Sequence, residues 1–399
     1  MNWARRFDVL QGMSATFPFT TPRSLDDEPE AQELLAGRGP VVPATMGPTE
    51  IWLALSYAAC KQVLTDPRFS REEATRPGGP VTLPSAANPL VLTSIEGRKH
   101  ARTRKLVASA FSPHMVASLE PRVQAITDTL LDARPTDLVS GLCTPLPTMV
   151  ICELLGAPYS DAPDIRRWTG RLMTGRLTPE ELSEVEHEVQ GYLADLVEEK
   201  RLRPDGKLIT ALVLAHDEGG HLTSAELLAN LQMLLAAGHD TTVNQLGNSL
   251  LTLLRHPAEM RRLIDDPALM GTAVDELLRF SRLMAATLPR VTTEAVELDG
   301  VRLPAGAAVL PVISAANRDP SVFPDPDRLD VGRDNAAPLA MGFGPHYCLG
   351  AQLAKLELRI ALTSVLKRFP GLRLAVDESS LTYRMETNVR ALVSLPVAW

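Results

Sequence analysis

The sequence predicts a mainly α-helical protein with a smaller β region, and three observations carry that expectation. From Gly97 to about residue 285 the pattern is mostly helical. Within it, His221–Arg255 runs for about thirty residues without proline and is apolar on most sides, as a helix through the middle of a protein is. Strand signals are confined to Trp52–Ser56, Val296–Ile313 and Thr382–Pro396.

Composition narrows the class. At 399 residues the chain can bury roughly three quarters of its unfolded surface. With 45% apolar and 22% charged residues, disorder and collagen-like order are excluded. Lys and Arg number 40 against 48 Asp and Glu, a net charge of −8 with no long basic run, which argues against nucleic-acid binding. No stretch reaches the ~18 consecutive apolar residues of a membrane span. Met1 to Thr21 mixes Arg5, Arg6 and Asp8 with scattered apolar residues and has no signal-peptide core. Four cysteines (Cys60, Cys143, Cys152, Cys348) make no disulfide framework in so long a chain. The expectation is a cytoplasmic globular protein of one domain, residues 1–399, with no repeat and no linker.

In chain order, residues 1–50 read as an irregular lead-in rich in Pro and Gly. A strand at Trp52–Ser56, a helix at Tyr57–Leu64 and a turn at Asp66-Pro67 follow. Arg71 to Pro89 holds four prolines and two glycines and reads as a long loop, the kind that usually binds or covers a ligand. Leu182, Val185, Val189, Leu193, Leu196 and Val197 recur at helical spacing. Thr223-Ser224-Ala225-Glu226 is a capping box that opens the central helix, placed at about 223–255. Asp299-Gly300 signals a hairpin, Asn317–Arg333 a meander, Leu349–Phe369 a helix and Thr382–Pro396 a closing β segment.

Chemistry concentrates at Gly342-Phe343-Gly344-Pro345-His346-Tyr347-Cys348-Leu349-Gly350, a glycine-rich loop running into a helix. Glycines let the backbone fold tightly and approach a flat ligand. A helix start stabilises a thiolate, so the Cys348 pKa is expected to fall. Taken alone, a cysteine beside a glycine turn is most often a buried core thiol.

Read as a whole, the loop over 341–350 resembles the haem-binding loop of cytochromes P-450, the haem-thiolate monooxygenases. Three more stretches resemble the same family in the same order. His100-Ala101-Arg102-Thr103-Arg104 is similar to its haem-clamping helix, Ala237-Gly238-His239-Asp240-Thr241-Thr242 to its oxygen-binding segment, and Glu276-Leu277-Leu278-Arg279 to its buried Glu-x-x-Arg pair. The resemblance extends from Trp52 through Asp66-Pro67-Arg68-Phe69-Ser70 to the C-terminus. It implies a mainly α cytochrome P-450 fold, a single triangular haem-containing domain with a long central helix. One residue departs from the pattern. Met341 stands where most members have phenylalanine; methionine still packs on a haem face, so binding should survive, while the reduction potential is left open.

The resemblance assigns roles that physical chemistry supports. Cys348 is the implied iron ligand, a thiolate that pushes electron density onto iron and favours O–O cleavage. Ala237, Gly238 and Thr241 share a helix face that Met233, Leu234 and Asn230 continue. Gly238 leaves room for dioxygen, Thr241 can hold it or a water, and Asp240 can relay protons. Outside this motif, a helical Thr bonded back to its own backbone and a surface Asp would be the plainer reading. His100, Arg104, Arg290 and His346 are the implied partners of the haem propionates. Met341, Gly342 and Gly350 complete the haem loop. Glu276 and Arg279 are expected to form a buried structural pair.

The implied reaction is insertion of one oxygen atom from dioxygen into a small apolar secondary metabolite such as a macrolide or cyclic dipeptide. Desaturation and oxidative coupling are open to the same scaffold. A peroxide-driven enzyme and a non-catalytic haem sensor are the alternatives. The cavity is expected to be lined by loop 71–95, the stretch around 165–180, Met233, Leu234, Ala237, Ala286-Thr287-Leu288 and Met385. No flavin or iron–sulfur segment is present, so a ferredoxin and a ferredoxin reductase are the implied electron donors. The basic residues Arg102, Arg104 and Lys105 suit an acidic ferredoxin. The expected state is a monomer.

Overall fold

The structure, a computed structural model, describes residues 15–18, 29–108, 111–173, 177–219, 222–334, 337–384 and 389–399. Two compact units emerge. The first comprises Met1–Thr82, Met284–Asp327 and Asn335–Tyr347; the second comprises Leu83–Leu283, Arg328–Asp334 and Cys348–Trp399.

The first unit is built on a mixed sheet. Its strands are β1 (Ala15–Phe17), β2 (Val41–Met46), β3 (Thr49–Ala54), β4 (Phe69–Ser70), β5 (Arg290–Thr292) and, after a separate hairpin, β8 (Ala308–Pro311), in the order β1-β2-β3-β8-β5-β4. Both faces of this sheet are buried. Val41, Ala54 and Val309 pack with Ala59, Cys60 and Val63 of the helix Tyr57–Thr65. Their chain neighbours Val42, Leu53 and Leu310 point the other way, toward Ala31, Leu34 and Leu35 of the helix Pro29–Arg38. A strand buried on both faces carries no apolar/polar alternation. That is why residues 29–46, expected to be an irregular lead-in, instead form a helix and a strand. Gly47-Pro48 closes β2 onto β3; Gly47 takes φ +57° while proline holds φ negative, the II′ pattern that suits strand twist.

The expected hairpin is present: β6 (Val296–Leu298) pairs with β7 (Val301–Leu303). Asp299 and Gly300 take φ +45° and +82°, as a type I′ turn requires. The long loop after β4 is more ordered than expected. Ser70 caps a one-turn helix at Arg71–Ala74, and Pro84–Ala87 forms a 3₁₀ turn.

The second unit is helical. Its axis is the central helix Ser224–Arg255, 32 residues and so about 48 Å long. The capping box is complete: the Glu226 N–H donates to Thr223 Oγ1 at 3.1 Å and the Thr223 N–H to Glu226 Oε2 at 2.9 Å. The helices Pro145–Leu155, Ala162–Leu172, Pro179–Leu202 and Ala351–Arg368 all pack against it, which explains its apolar circumference. Glu276 and Arg279 form the expected buried pair, each side chain 1% exposed, with Nε–Oε2 2.7 Å and Nη2–Oε1 2.8 Å. Glu276 Oε1 also accepts from the Asp330 N–H at 3.0 Å and Arg333 Nε at 3.1 Å, tying the pair to the end of the meander. The closing β segment is slight. β10 (Tyr383–Arg384) pairs with β11 (Ala391–Leu392), and β12 (Val397–Ala398) with β9 (Arg373–Leu374). Among the described residues, no helix is long and apolar enough to cross a membrane.

Candidate active site

In the first unit the glycine loop is two 3₁₀ turns, Leu339–Met341 and Gly344–His346, separated by backbone that only glycine tolerates well. Gly342 and Gly344 take φ +72° and +71°. A Cβ on Gly344 would also sit 2.8 Å from the Leu64 carbonyl oxygen, so the close approach excludes any side chain. The Leu339 N–H is anchored on Asn317 Oδ1 at 2.7 Å, and the Lys61 ammonium lies 4.5 Å over the Phe343 ring. Met341, Gly342 and His346 are half-buried on this loop. Arg290 opens β5, is 4% exposed, and donates to the Leu288 carbonyl at 3.0 Å. Ala286 is buried, and the Thr287 N–H donates to the Pro311 carbonyl at 3.1 Å.

In the second unit Cys348 lies three residues before the helix Ala351–Arg368, with Gly350 at its N-cap. It is the one exposed cysteine; Cys60, Cys143 and Cys152 are buried. The sequence-based expectation for its pKa is reversed. Desolvation of the sulfur by the surrounding protein raises the thiol, outweighing the Gly350 N–H and the Arg104 guanidinium, which both lower it. The helix start acts in the expected sense, but it loses to desolvation. Arg104 therefore stands close enough to Cys348 for their charges to couple. His100, one turn earlier on the helix Gly97–Ala108, is 5% exposed, and burial together with Arg104 lowers its pKa.

The middle of the central helix is the other half of the chemistry in this unit. Ala237 and Gly238 are exposed, Thr241 is half-buried, and the flanking Leu234, Leu235, Ala236, His239 and Asp240 are buried. A window of small side chains is thus set into an otherwise packed helix. Asp240 is 3% exposed, not a surface acid, and burial raises its pKa against the opposing pull of Arg384 and Asn244. Arg384 Nη2 lies 3.3 Å from Asp240 Oδ1 and 3.2 Å from Asn244 Oδ1, and Asn244 Nδ2 donates to Asp240 Oδ2 at 3.0 Å. The Thr241 hydroxyl donates to the Ala237 carbonyl at 2.7 Å, so it does bond back to its own helix, leaving its oxygen lone pairs as acceptors. His239 is a buried tie. Its Nε2 lies 2.7 Å from Thr148 Oγ1 and its Nδ1 2.9 Å from Thr169 Oγ1, and burial holds its pKa down to about 3.

Met233 is half-buried and Leu234 buried on the face that leads to this window. Met385 lies outside the described residues. Sequence reasoning missed Arg384, Asn244, Thr148 and Thr169. Asn244 carried a signal, the i, i+4 spacing from Asp240; the others lie too far away in sequence to carry one.

A family model, Cytochrome P450, matches residues 174–380. Nocardicin C N-oxygenase of Nocardia uniformis subsp. tsuyamanensis is 41% identical over 96% of this chain and 98% of its own length. Mycinamicin IV hydroxylase/epoxidase of Micromonospora griseorubida is 39% identical over 88% of this chain and 90% of its own. Among solved structures, cytochrome P450mel 107F1, described as having biaryl coupling reactivity, superposes with a TM-score of 0.92 at 34% identity, covering 97% of this chain and all of that one. Fold and sites together define a mainly helical oxidoreductase. The chain belongs to the cytochrome P450 family and is a monooxygenase. The family carries haem b, and the residues present fit that group. Cys348 presents an exposed thiol on the glycine loop, and a metal cation bound there displaces the thiol proton. Arg104 supplies a cation beside it, and the Ala237–Gly238 window leaves the helix without bulk where a flat group would approach.

Proposed function

We propose that the enzyme oxidises a small apolar secondary metabolite with dioxygen and electrons from ferredoxin. The observation that carries this reading is the buried acid Asp240, paired with the partly exposed Arg384 and adjoining the small-residue window at Ala237, Gly238 and Thr241. In the balanced reaction, R–H, O2, two electrons and two protons give R–OH and H2O. Haem, when bound through the Cys348 thiolate, supplies the iron that activates dioxygen, and thiolate ligation favours O–O cleavage.

The chain's own residues do the rest. His100, Arg104, Arg290 and His346 hold propionates by charge and hydrogen bond. Met341, Gly342 and Gly350 shape the loop, and Ala237 with Gly238 keeps the helix clear of side chains. Asp240, its pKa raised by burial, is placed to take up and pass on a proton, and the 39% exposed Arg384 side chain links its carboxyl to solvent. Thr241, whose own proton goes to Ala237, accepts a hydrogen bond from a water. Met233, Leu234, Ala286, Thr287 and Met385 are proposed substrate contacts, largely apolar as ligand sites usually are. A macrolide or a cyclic dipeptide is the proposed substrate class. The relatives span N-oxygenation, hydroxylation or epoxidation, and biaryl coupling, which supports hydroxylation and coupling as outcomes set by substrate pose, with desaturation proposed beside them. The helix Gly97–Ala108 exposes Arg102 and Lys105 and carries no acid, a face suited to an acidic ferredoxin.

The test is the carbon monoxide spectrum of the reduced protein. Wild type should show the strongly red-shifted Soret band of thiolate ligation, and Cys348→Ala should lose it. Retention of the band in the variant overturns the ligand assignment.

A further inference from the structure

Asn230 stands two turns before the Ala237–Gly238 window, and its side chain is not engaged by anything in the reaction above. It is 1% exposed. Its Oδ1 accepts from the Leu92 N–H at 2.8 Å, while Nδ2 donates to the Leu90 carbonyl at 3.1 Å and to the Glu226 carbonyl at 2.8 Å. One donor and two carbonyls around the amide admit only this orientation of its oxygen and nitrogen. A single side-chain amide thus pairs with the N–H of Leu92 and the C=O of Leu90, as a neighbouring strand would.

We propose that Asn230 is a positioning residue that clamps loop 88–95 onto the central helix and thereby sets the size of ligand the site admits. The inference rests on the reading of Met233, Leu234 and Ala237 as the substrate face. Asn230 shares that face, since these residues follow it at i+3, i+4 and i+7. Clamping at Leu90 and Leu92 coincides with burial of Val91 (2% exposed) and Leu92 (4%). A second tie lies just before the segment, where Ser85 Oγ donates to the Leu172 carbonyl at 2.9 Å. The segment's remaining bonds tie it only to its own neighbourhood: Leu90 N–H to Asn88 Oδ1 at 2.9 Å, Ser94 N–H to the Val91 carbonyl at 2.9 Å and Ser94 Oγ to the Ala86 carbonyl at 3.0 Å. Removing the amide leaves a buried N–H and a buried C=O without partners, which the loop can relieve only by moving into water. A loop that must then be reordered around each ligand weakens large ligands, which contact it, and spares small ones, which do not.

The experiment uses holoenzyme with two iron-ligating azoles read by absorbance, imidazole as the small probe and econazole as the bulky apolar one, together with hydrogen exchange at the Leu92 amide. In Asn230→Leu the Leu92 amide should exchange about tenfold to a hundredfold faster, econazole should bind about tenfold more weakly, and imidazole should bind as in wild type. Asn230→Asp keeps the acceptor for Leu92 and loses the donor to Leu90. It should leave Leu92 protected while weakening econazole by a smaller factor, and it carries the test if the leucine variant does not fold. Unchanged Leu92 exchange in Asn230→Leu overturns the clamp. Lost protection with wild-type econazole affinity overturns its control of ligand size. Failure of wild type to bind even imidazole would instead sink the haem-site reading, with Leu92 exchange still deciding the clamp.

Discussion

Replacing Glu276 should cost the protein a large part of its stability, because this one carboxylate satisfies four donors. Oε2 accepts from Arg279 Nε; Oε1 accepts from Arg279 Nη2, Arg333 Nε and the Asp330 N–H. The side chains of Glu276 and Arg279 are each 1% exposed and that of Arg333 is 9% exposed. In Glu276→Gln the carbonyl oxygen can serve the Oε1 cluster, but the amide NH2 then faces Arg279 Nε, donor against donor, and two guanidinium groups lose their anion. Breaking a buried pair from one side costs about 3–5 kcal/mol, against a total stability of about 5–15 kcal/mol. The protein contains its own control. Arg167 and Asp164 have the same i, i+3 spacing, but their side chains are 50% and 59% exposed; Asp164→Asn should cost no more than about 0.5 kcal/mol. Urea unfolding followed by far-ultraviolet circular dichroism should show a markedly lower midpoint for Glu276→Gln and an unmoved one for Asp164→Asn. Equal midpoints for the two variants would refute the argument that burial, and not the pairing itself, gives Glu276 its weight.

Haem retention should fall in Arg104→Ala and in Arg290→Ala and fall further in the double variant, since a propionate without a partner is costly to bury; the haem-to-protein absorbance ratio after purification measures it, and an unchanged ratio in the double variant places these arginines elsewhere. Thr241→Ala should keep haem and release more hydrogen peroxide per electron, and Asp240→Asn should slow turnover by roughly 10²-fold or more. Product and peroxide per electron consumed are the quantities to measure, and a fully coupled Thr241→Ala would place the relay on other groups. His239 titrates at about 3 when folded against its ordinary 6.5. Below 6.5 the unfolded chain takes up a proton that the folded chain refuses, so stability drains away as pH falls toward 3. In His239→Asn that acid-side loss should shrink, visible as a flatter plot of unfolding free energy against pH; parallel plots would mean the ring is not buried neutral.

What the sequence by itself determined is local in character. The central helix was readable because its capping box, lack of proline and apolar circumference all lie within one stretch of chain. The Asp299-Gly300 hairpin was readable because two adjacent positive φ angles select those residues. The Glu276–Arg279 pair and the Gly342–Gly350 loop were readable because three-residue spacing and glycine placement are themselves the signal. The strand Val41–Met46 and the helix Pro29–Arg38 were not, because a sheet packed on both faces erases the alternation that marks a strand.

Tertiary structure alone decided the rest of the candidate site. Arg384 reaches Asp240 across 144 residues, and His239 reaches Thr148 and Thr169 across 91 and 70. No local pattern encodes such pairings. The sign of the Cys348 shift was also beyond the sequence. A helix start predicts a thiol with a lowered pKa, and only the protein crowded around the loop turns the balance upward. Spacing along the chain specifies which groups can meet through one element. Desolvation and long-range pairing depend on where the elements dock, and that follows from burying apolar faces contributed by the whole chain.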